Sequence, residues 1–242
     1  MPRLYVDTPL TASAELSLPA GAARHVQVLR LQPGAMLTLF DGSGMEWPAE
    51  VLAMTRSEVR VRVNAPLAVE RELKHAVHLA VVMPANDRMD GIVEKATELG
   101  AAAVQPLMSE RSVLRLSGDR ADKKRAHWRG VAIAAAEQCG RARVTDIGAV
   151  QTLTQWLAAL PPASSAQRRW LLSPTAAEPL SRRVSETGDA TLVLSGPEGG
   201  LSHIEEAAAS AKGFVSLNLG PRILRADTAP LAVLGALALA SV

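Results

Sequence analysis

The chain has 242 residues and a formal net charge of +2; 48% of its residues are apolar and only 3% aromatic. That length buries one large core or two smaller ones, and that composition excludes a disordered or collagen-like chain. The single cysteine, Cys139, excludes an internal disulfide framework and fits a reducing compartment.

Taken in chain order, residues 3–7, 35–41, 47–54 and 57–64 read as short strands, with one helical turn over 22–29. Asp41-Gly42-Ser43-Gly44 is a turn signal, and Arg56-Ser-Glu-Val-Arg-Val-Arg-Val63 alternates with the period of two of a half-buried strand. These runs predict a small β-barrel over residues 1–70, followed by a charged linker at 68–75. The rhythm then changes. Residues 76–83 form a continuous apolar strand, and a helix over 90–99 places Ile92, Val93, Ala96 and Leu99 on one face, with Gly100 as its stop. A strand at 102–107, a long helix at 122–138 and strands at 170–173, 192–195 and 215–219 follow, with a surface loop at 161–167. Continuous apolar strands alternating with helices predict a mostly parallel sheet covered on both faces over residues 74–242. The longest apolar run, 231–240, falls far short of the roughly 20 residues that span a bilayer, and the N-terminus has no apolar signal region, so the expected location is cytoplasmic with no membrane partner.

Two glycine-containing loops stand out in the last fifty residues. Gly196-Pro197-Glu198-Gly199-Gly200 follows an apolar strand and ends at Ser202-His203-Ile204-Glu205, which matches a capping box. The second runs from Leu219-Gly220-Pro221 to Asp227-Thr228, with Pro230 near the start of the final helix, where proline is tolerated, and Asp227 or Thr228 as a candidate N-cap. Either loop alone could be an ordinary strand-to-helix turn. Together they suggest a pocket built from backbone, with Glu198, Arg225 and Asp227 as its charged groups. Neither is a Walker loop or the dinucleotide fingerprint, which sets aside a phosphate cradle and a nucleotide-dependent oxidoreductase.

Between residues 109 and 145 nine Lys/Arg face four Asp/Glu, an excess of five that suits a phosphate backbone or, more simply, a solvated helix face. The five histidines show no metal-ligand spacing, so no metal is expected. Cys139 reads as a packed thiol, His203 as solvated, and Trp128 as a half-buried helix residue rather than a base-stacking platform.

Leu194-Ser-Gly-Pro-Glu-Gly-Gly-Leu-Ser202 and Leu219-Gly-Pro-Arg-Ile-Leu-Arg-Ala-Asp-Thr-Ala229 resemble the C-terminal motifs of SPOUT-class RNA methyltransferases, and within that class the RsmE family. Glu94-Lys-Ala-Thr-Glu-Leu-Gly100, Pro106-Leu-Met-Ser-Glu-Arg-Ser112, Ala136-Glu-Gln-Cys-Gly-Arg141, Val28-Leu-Arg-Leu-Gln-Pro-Gly34 and Leu39-Phe-Asp-Gly42 are similar to further segments of that family, so the resemblance spans nearly the whole chain, in order. It implies a PUA-like RNA-binding β-barrel followed by a SPOUT α/β domain with a C-terminal trefoil knot. It also implies a homodimer that uses S-adenosylmethionine to methylate N3 of a uridine in 16S ribosomal RNA of the small ribosomal subunit. Carried over by motif, the cofactor-binding positions are Leu172, Leu194, Gly196, Glu198, Gly199, Leu217, Leu219, Gly220, Ile223 and Leu224. Arg225 would stabilise the developing uridine anion, unless it only pairs with Asp227, and Asp227 would act as general base, helix cap or both. Arg30, Arg88, Arg111 and Arg141 would contact RNA. Two positions depart from the family: glutamate is usual where Asp227 stands, one methylene and about 1.5 Å longer, and lysine is common where Asn86 stands. A SPOUT enzyme with another RNA target, or a non-catalytic ribosome-assembly protein on the same scaffold, would carry related motifs.

Overall fold

The computed structural model describes residues 1–186 and 188–240. The chain forms two compact units, Met1–Glu72 with Ala136–Val144, and Leu73–Ala135 with Thr145–Val242.

The N-terminal unit carries β1 (Arg3–Tyr5), β2 (Glu15–Ser17), α1 (Ala20–Val28), β3 (Met36–Phe40), β4 (Met45–Met54), β5 (Val59–Val63) and β6 (Leu67–Ala68). The strands pair in the order β1-β3-β4-β5-β2, with β6 on β4. β5 shows the expected alternation: Val59, Val61 and Val63 are buried, while Arg60 and Arg62 face out and both reach Glu15 on β2 at 2.9 Å. Leu4, Leu37, Leu39, Val51 and the three valines of β5 share one core with Ala22, Ala23 and Val26 of α1. The segment Ala136–Val144 packs into this unit. Glu137 accepts from the Tyr5 N–H (2.9 Å), and Arg141 donates to Glu72 through Nε (3.1 Å) and Nη2 (2.5 Å).

The second unit begins with β7 (Ala76–Val82), α2 (Arg88–Glu98), β8 (Ala103–Met108) and α3 (Gly118–Cys139), whose last turn lies in the segment assigned to the first unit. It continues with β9 (Asp146–Ile147), β10 (Gln151–Thr152), α4 (Leu153–Ala159), β11 (Gln167–Leu172), β12 (Glu178–Pro179), β13 (Ala190–Ser195), α5 (His203–Ala211), β14 (Val215–Asn218) and α6 (Thr228–Ala240). Its sheet runs β10-β8-β7-β13-β11-β14-β12, with β9 on β8, and every pairing is parallel. β7 and β13 are almost continuously buried, as strands covered on both faces must be. Gly100 ends α2 for two reasons. Its φ of +95° is costly for any residue with a Cβ, and a Cβ there would come within 2.8 Å of Leu73 Cγ.

Most predicted elements are present, with ends shifted by a few residues; α3 extends past both ends of the expected helix. The apolar period does not reveal α4, β2, β6, β9, β10 or β12, which are too short to show one. α4 did carry a signal, because Thr152 and Gln155 form a capping box. Trp128 is more buried than expected, at 1% exposure. Its indole N–H donates to Asp90 Oδ1 at 3.0 Å, which removes it as a stacking platform. Among the described residues no helix is long and apolar enough to cross a membrane.

Candidate active site

The site lies at the carboxyl ends of the central strands, where open parallel sheets place their ligands. Leu172 at the end of β11 is in register with Ser195 at the end of β13 and with Leu217, one residue before the end of β14, so the three strands end side by side.

The loop after β13 is tied down at each step. Gly200 adopts a φ of +68°, and its N–H donates to the Pro197 carbonyl at 2.9 Å. Ser202 caps α5, its hydroxyl accepting from the Glu205 N–H, while Glu205 Oε2 accepts from the Ser202 N–H at 2.9 Å. The buried Glu205 also accepts, through Oε1, from the Glu110 N–H at 2.8 Å. Arg111, next to Glu110, donates to the Gly199 carbonyl at 2.8 Å. Glu198 accepts from the Ala85 N–H (3.2 Å) and from Arg88 (3.3 Å), so this carboxylate binds a loop amide and a guanidinium.

The loop after β14 has fewer ties. Asn218 holds its start, accepting from the Gly220 N–H at 3.0 Å and donating to the Ala176 carbonyl at 2.9 Å. The Arg225 carbonyl accepts from the N–H groups of Thr228 and Ala229, both at 3.0 Å. That arrangement decides how α6 is capped. Pro230 has no N–H and the Ala229 N–H is already bound, so among the described residues the Asp227 carboxylate accepts a hydrogen bond only from the Thr228 hydroxyl, at 3.3 Å. The backbone, not the Asp227 side chain, caps this helix. The carboxylate faces Arg88, whose Nε lies 4.0 Å away, rather than Arg225. The Arg225 guanidinium is exposed and has no hydrogen-bond or ion-pair partner among the described residues.

The two loops enclose a cavity of about 490 Å³, a size typical of a small-molecule site. Seven of the ten expected cofactor positions line it: Leu172, Gly196, Glu198, Leu217, Leu219, Ile223 and Leu224. Leu194 lies fully buried one residue back in β13, and Gly199 and Gly220 shape the loops without lining the cavity. Arg225 and Arg88 line it; Asp227 sits beside it, against Arg88. Sequence reading did not single out Arg222 or Glu206, which also line it. Arg222 lies inside the motif that was read. Glu206 is a first-turn acid on α5, a position usually explained by the helix dipole alone.

The expected RNA contacts divide. Arg111 is a strut of the first loop, and Arg30 is exposed in the N-terminal unit. Arg141 requires correction. It is only 3% exposed and engaged by Glu72, so it is a structural ion pair and not a guanidinium presented to phosphate. Asn86 has a local explanation. Its φ of +63° is one that asparagine tolerates far better than lysine. Among the described residues no group of three or more His, Cys, Asp or Glu could hold a metal ion.

Residues 71–238 match the family described as RNA methyltransferase domain, and residues 18–64 match the RNA methyltransferase PUA domain. Ribosomal RNA small subunit methyltransferase E of Bacillus subtilis strain 168 is 33% identical over 216 residues, which are 88% of this chain and 84% of that protein. The chain belongs to the RsmE family of RNA methyltransferases. A relative of the same description from Synechocystis is 32% identical and covers 94% of this chain and 74% of its own. The crystal structure of the RsmE protein of Neisseria gonorrhoeae, bound to S-adenosyl methionine, superimposes with a TM-score of 0.89 at 33% identity, covering 98% and 96% of the two chains. The fold is thus a PUA domain followed by the SPOUT-like α/β methyltransferase fold with its parallel sheet, as the RsmE-like motifs implied.

Proposed function

We propose that this chain transfers a methyl group from S-adenosylmethionine to N3 of a uridine in the 16S RNA of the small ribosomal subunit. The observation that carries the proposal is the cavity between the two glycine loops, with an arginine on its wall, Arg225, that has no partner among the described residues. The residues present suit this cofactor. Leu172, Leu217, Leu219 and Leu224 offer apolar contacts for an adenine face, and loop amides and carbonyls can meet its edge. When bound, S-adenosylmethionine supplies a methyl group activated by its sulfonium.

The remaining chemistry falls to side chains. Uridine N3 carries a proton at neutral pH and must lose it to become a nucleophile. Arg225, free of an ion pair among the described residues, would stabilise the resulting anion, and Asp227, whose carboxylate caps no helix N–H, would act as the base. Arg88 holds both Glu198 and Asp227 and so aims the base; RNA contact falls to Arg111 and Arg30. Holding the nitrogen in line with the methyl and sulfur accounts for much of the expected acceleration.

The same reading makes residues 1–70 the RNA-binding β-barrel and 74–242 the catalytic domain with its trefoil knot. A knot is supported by the path of the last segment: β14 pairs on the far side of β11, yet the following α6 returns to pack against β7, β13 and α2. A homodimer is supported by α6, which is apolar over nearly its whole length and leaves Leu239 80% exposed. The protein would act in the cytoplasm, where small subunits are assembled. The test is to incubate it with methyl-labelled cofactor and small subunits from cells lacking it, then digest the RNA. Label in a single N3-methyluridine is the expected result. Label on a ribose or another base would reassign the target, and cofactor binding without transfer, or neither, would point to an assembly role.

A further inference from the structure

The charged groups of the cavity sort into paired and unpaired sets. Arg88 and Glu198 bind each other, Glu198 also accepts from the Ala85 N–H, and Arg88 leans on Asp227. Glu206 is different. Its side chain is half-buried on the cavity wall, and its carboxylate has no hydrogen-bond or ion-pair partner among the described residues, although the guanidinium groups of Arg222 and Arg225 line the same cavity. Its backbone N–H, which donates to the Ser202 carbonyl at 2.9 Å, fixes it in the first turn of α5. That turn is anchored by the capping box and by the bond from Glu205 to the Glu110 N–H, so the carboxylate is presented from a rigid element. An unpaired carboxylate held against a partly apolar wall lowers the free energy of a cation placed beside it. The surrounding low dielectric strengthens that attraction relative to water.

We propose that Glu206 is the anionic partner of a positively charged group on the bound cofactor and is thereby a specificity-determining residue of the pocket. The inference rests on the reading of the cavity as the S-adenosylmethionine site. That ligand carries two cations, an ammonium and a sulfonium. The demethylated product keeps the ammonium and has a neutral sulfur. Methylthioadenosine has neither charge but retains the adenine, ribose and thioether.

The test is calorimetric binding of these three ligands to the full chain and to Glu206→Gln, which removes the charge and little volume. Affinity for S-adenosylmethionine should fall roughly tenfold or more, and affinity for methylthioadenosine should stay within about twofold, which also reports that the variant is folded. A larger loss for S-adenosylmethionine than for the product assigns the contact to the sulfonium; equal losses for both assign it to the ammonium. Glu206→Asp should bind better than Glu206→Gln. Unchanged affinity for all three ligands overturns the proposal, and so does an equal loss for methylthioadenosine, which would mean that Glu206 holds the ribose or merely supports the fold. If the unaltered protein binds none of the three, the functional reading fails rather than the role of Glu206.

Discussion

The two loops of the cavity contrast in how they are held. The loop after β13 is tied by the capping box, by Glu205 to Glu110, by Arg111 to the Gly199 carbonyl and by Glu198 to the Ala85 N–H. The loop after β14 has Asn218 at its start and the Arg225 carbonyl at its end, and between them Arg222 and Ile223 stand exposed, Ile223 at 83%. Dense internal hydrogen bonding gives a preformed surface. Sparse tethering leaves side chains free to meet a substrate. The first loop is a densely tied frame, and the second is the sparsely tied one that the proposed mechanism relies on.

Substitutions can break or sharpen that contrast. The largest effect should come from Arg225→Ala: kcat falls by a hundredfold or more, on the order of losing one transition-state donor, while urea unfolding shows stability unchanged within about 0.5 kcal/mol. Near-normal turnover would remove this arginine from the mechanism. Asp227→Asn should lower kcat on the order of a hundredfold, again with little change in stability, because the helix cap is made by the Arg225 carbonyl. A marked fall in melting temperature would instead restore the capping role.

In the frame, the effects should reverse. Glu205→Ala leaves the Ser202 and Glu110 N–H groups without acceptors and should destabilise the protein by about 2–3 kcal/mol, measured by urea unfolding. A loss under about 0.5 kcal/mol would show that the carboxylate is not a tie. Gly200→Ala should have the smallest effect, about 1 kcal/mol, because a Cβ there meets no atom within 4 Å and the cost is that of the positive φ alone. A larger loss would reveal crowding that the backbone does not show.

How much of this was legible beforehand depended on the range of the interaction. Strands such as β5 and β13, the capping box at Ser202 and Glu205, and the stop at Gly100 are local, and their residues announce them within a few positions. The pocket itself was legible as two loops of similar phase, and seven of the ten cofactor positions that the family motifs implied do line it. Long-range pairing was not. Nothing near Arg141 foretells that Glu72, sixty-nine residues earlier, engages its guanidinium, so a side chain expected to contact RNA is a structural ion pair. The return of Ala136–Val144 to the N-terminal unit is hidden for the same reason. Glu206 escaped notice because an acid in a helix's first turn already has a sufficient local explanation. Only the cavity shows that it has a second face.

Hydrogen exchange on the full chain, with and without S-adenosylmethionine, tests most directly whether these loops form one cofactor site built from a frame and a mobile partner. Exchange at 196–205 should be slow in the absence of cofactor, with a small further slowing when it is added. At 219–227 exchange should be fast and should slow strongly only when the cofactor binds. Unaltered exchange in both loops at saturating cofactor, or slowing confined to other parts of the chain, would contradict that reading.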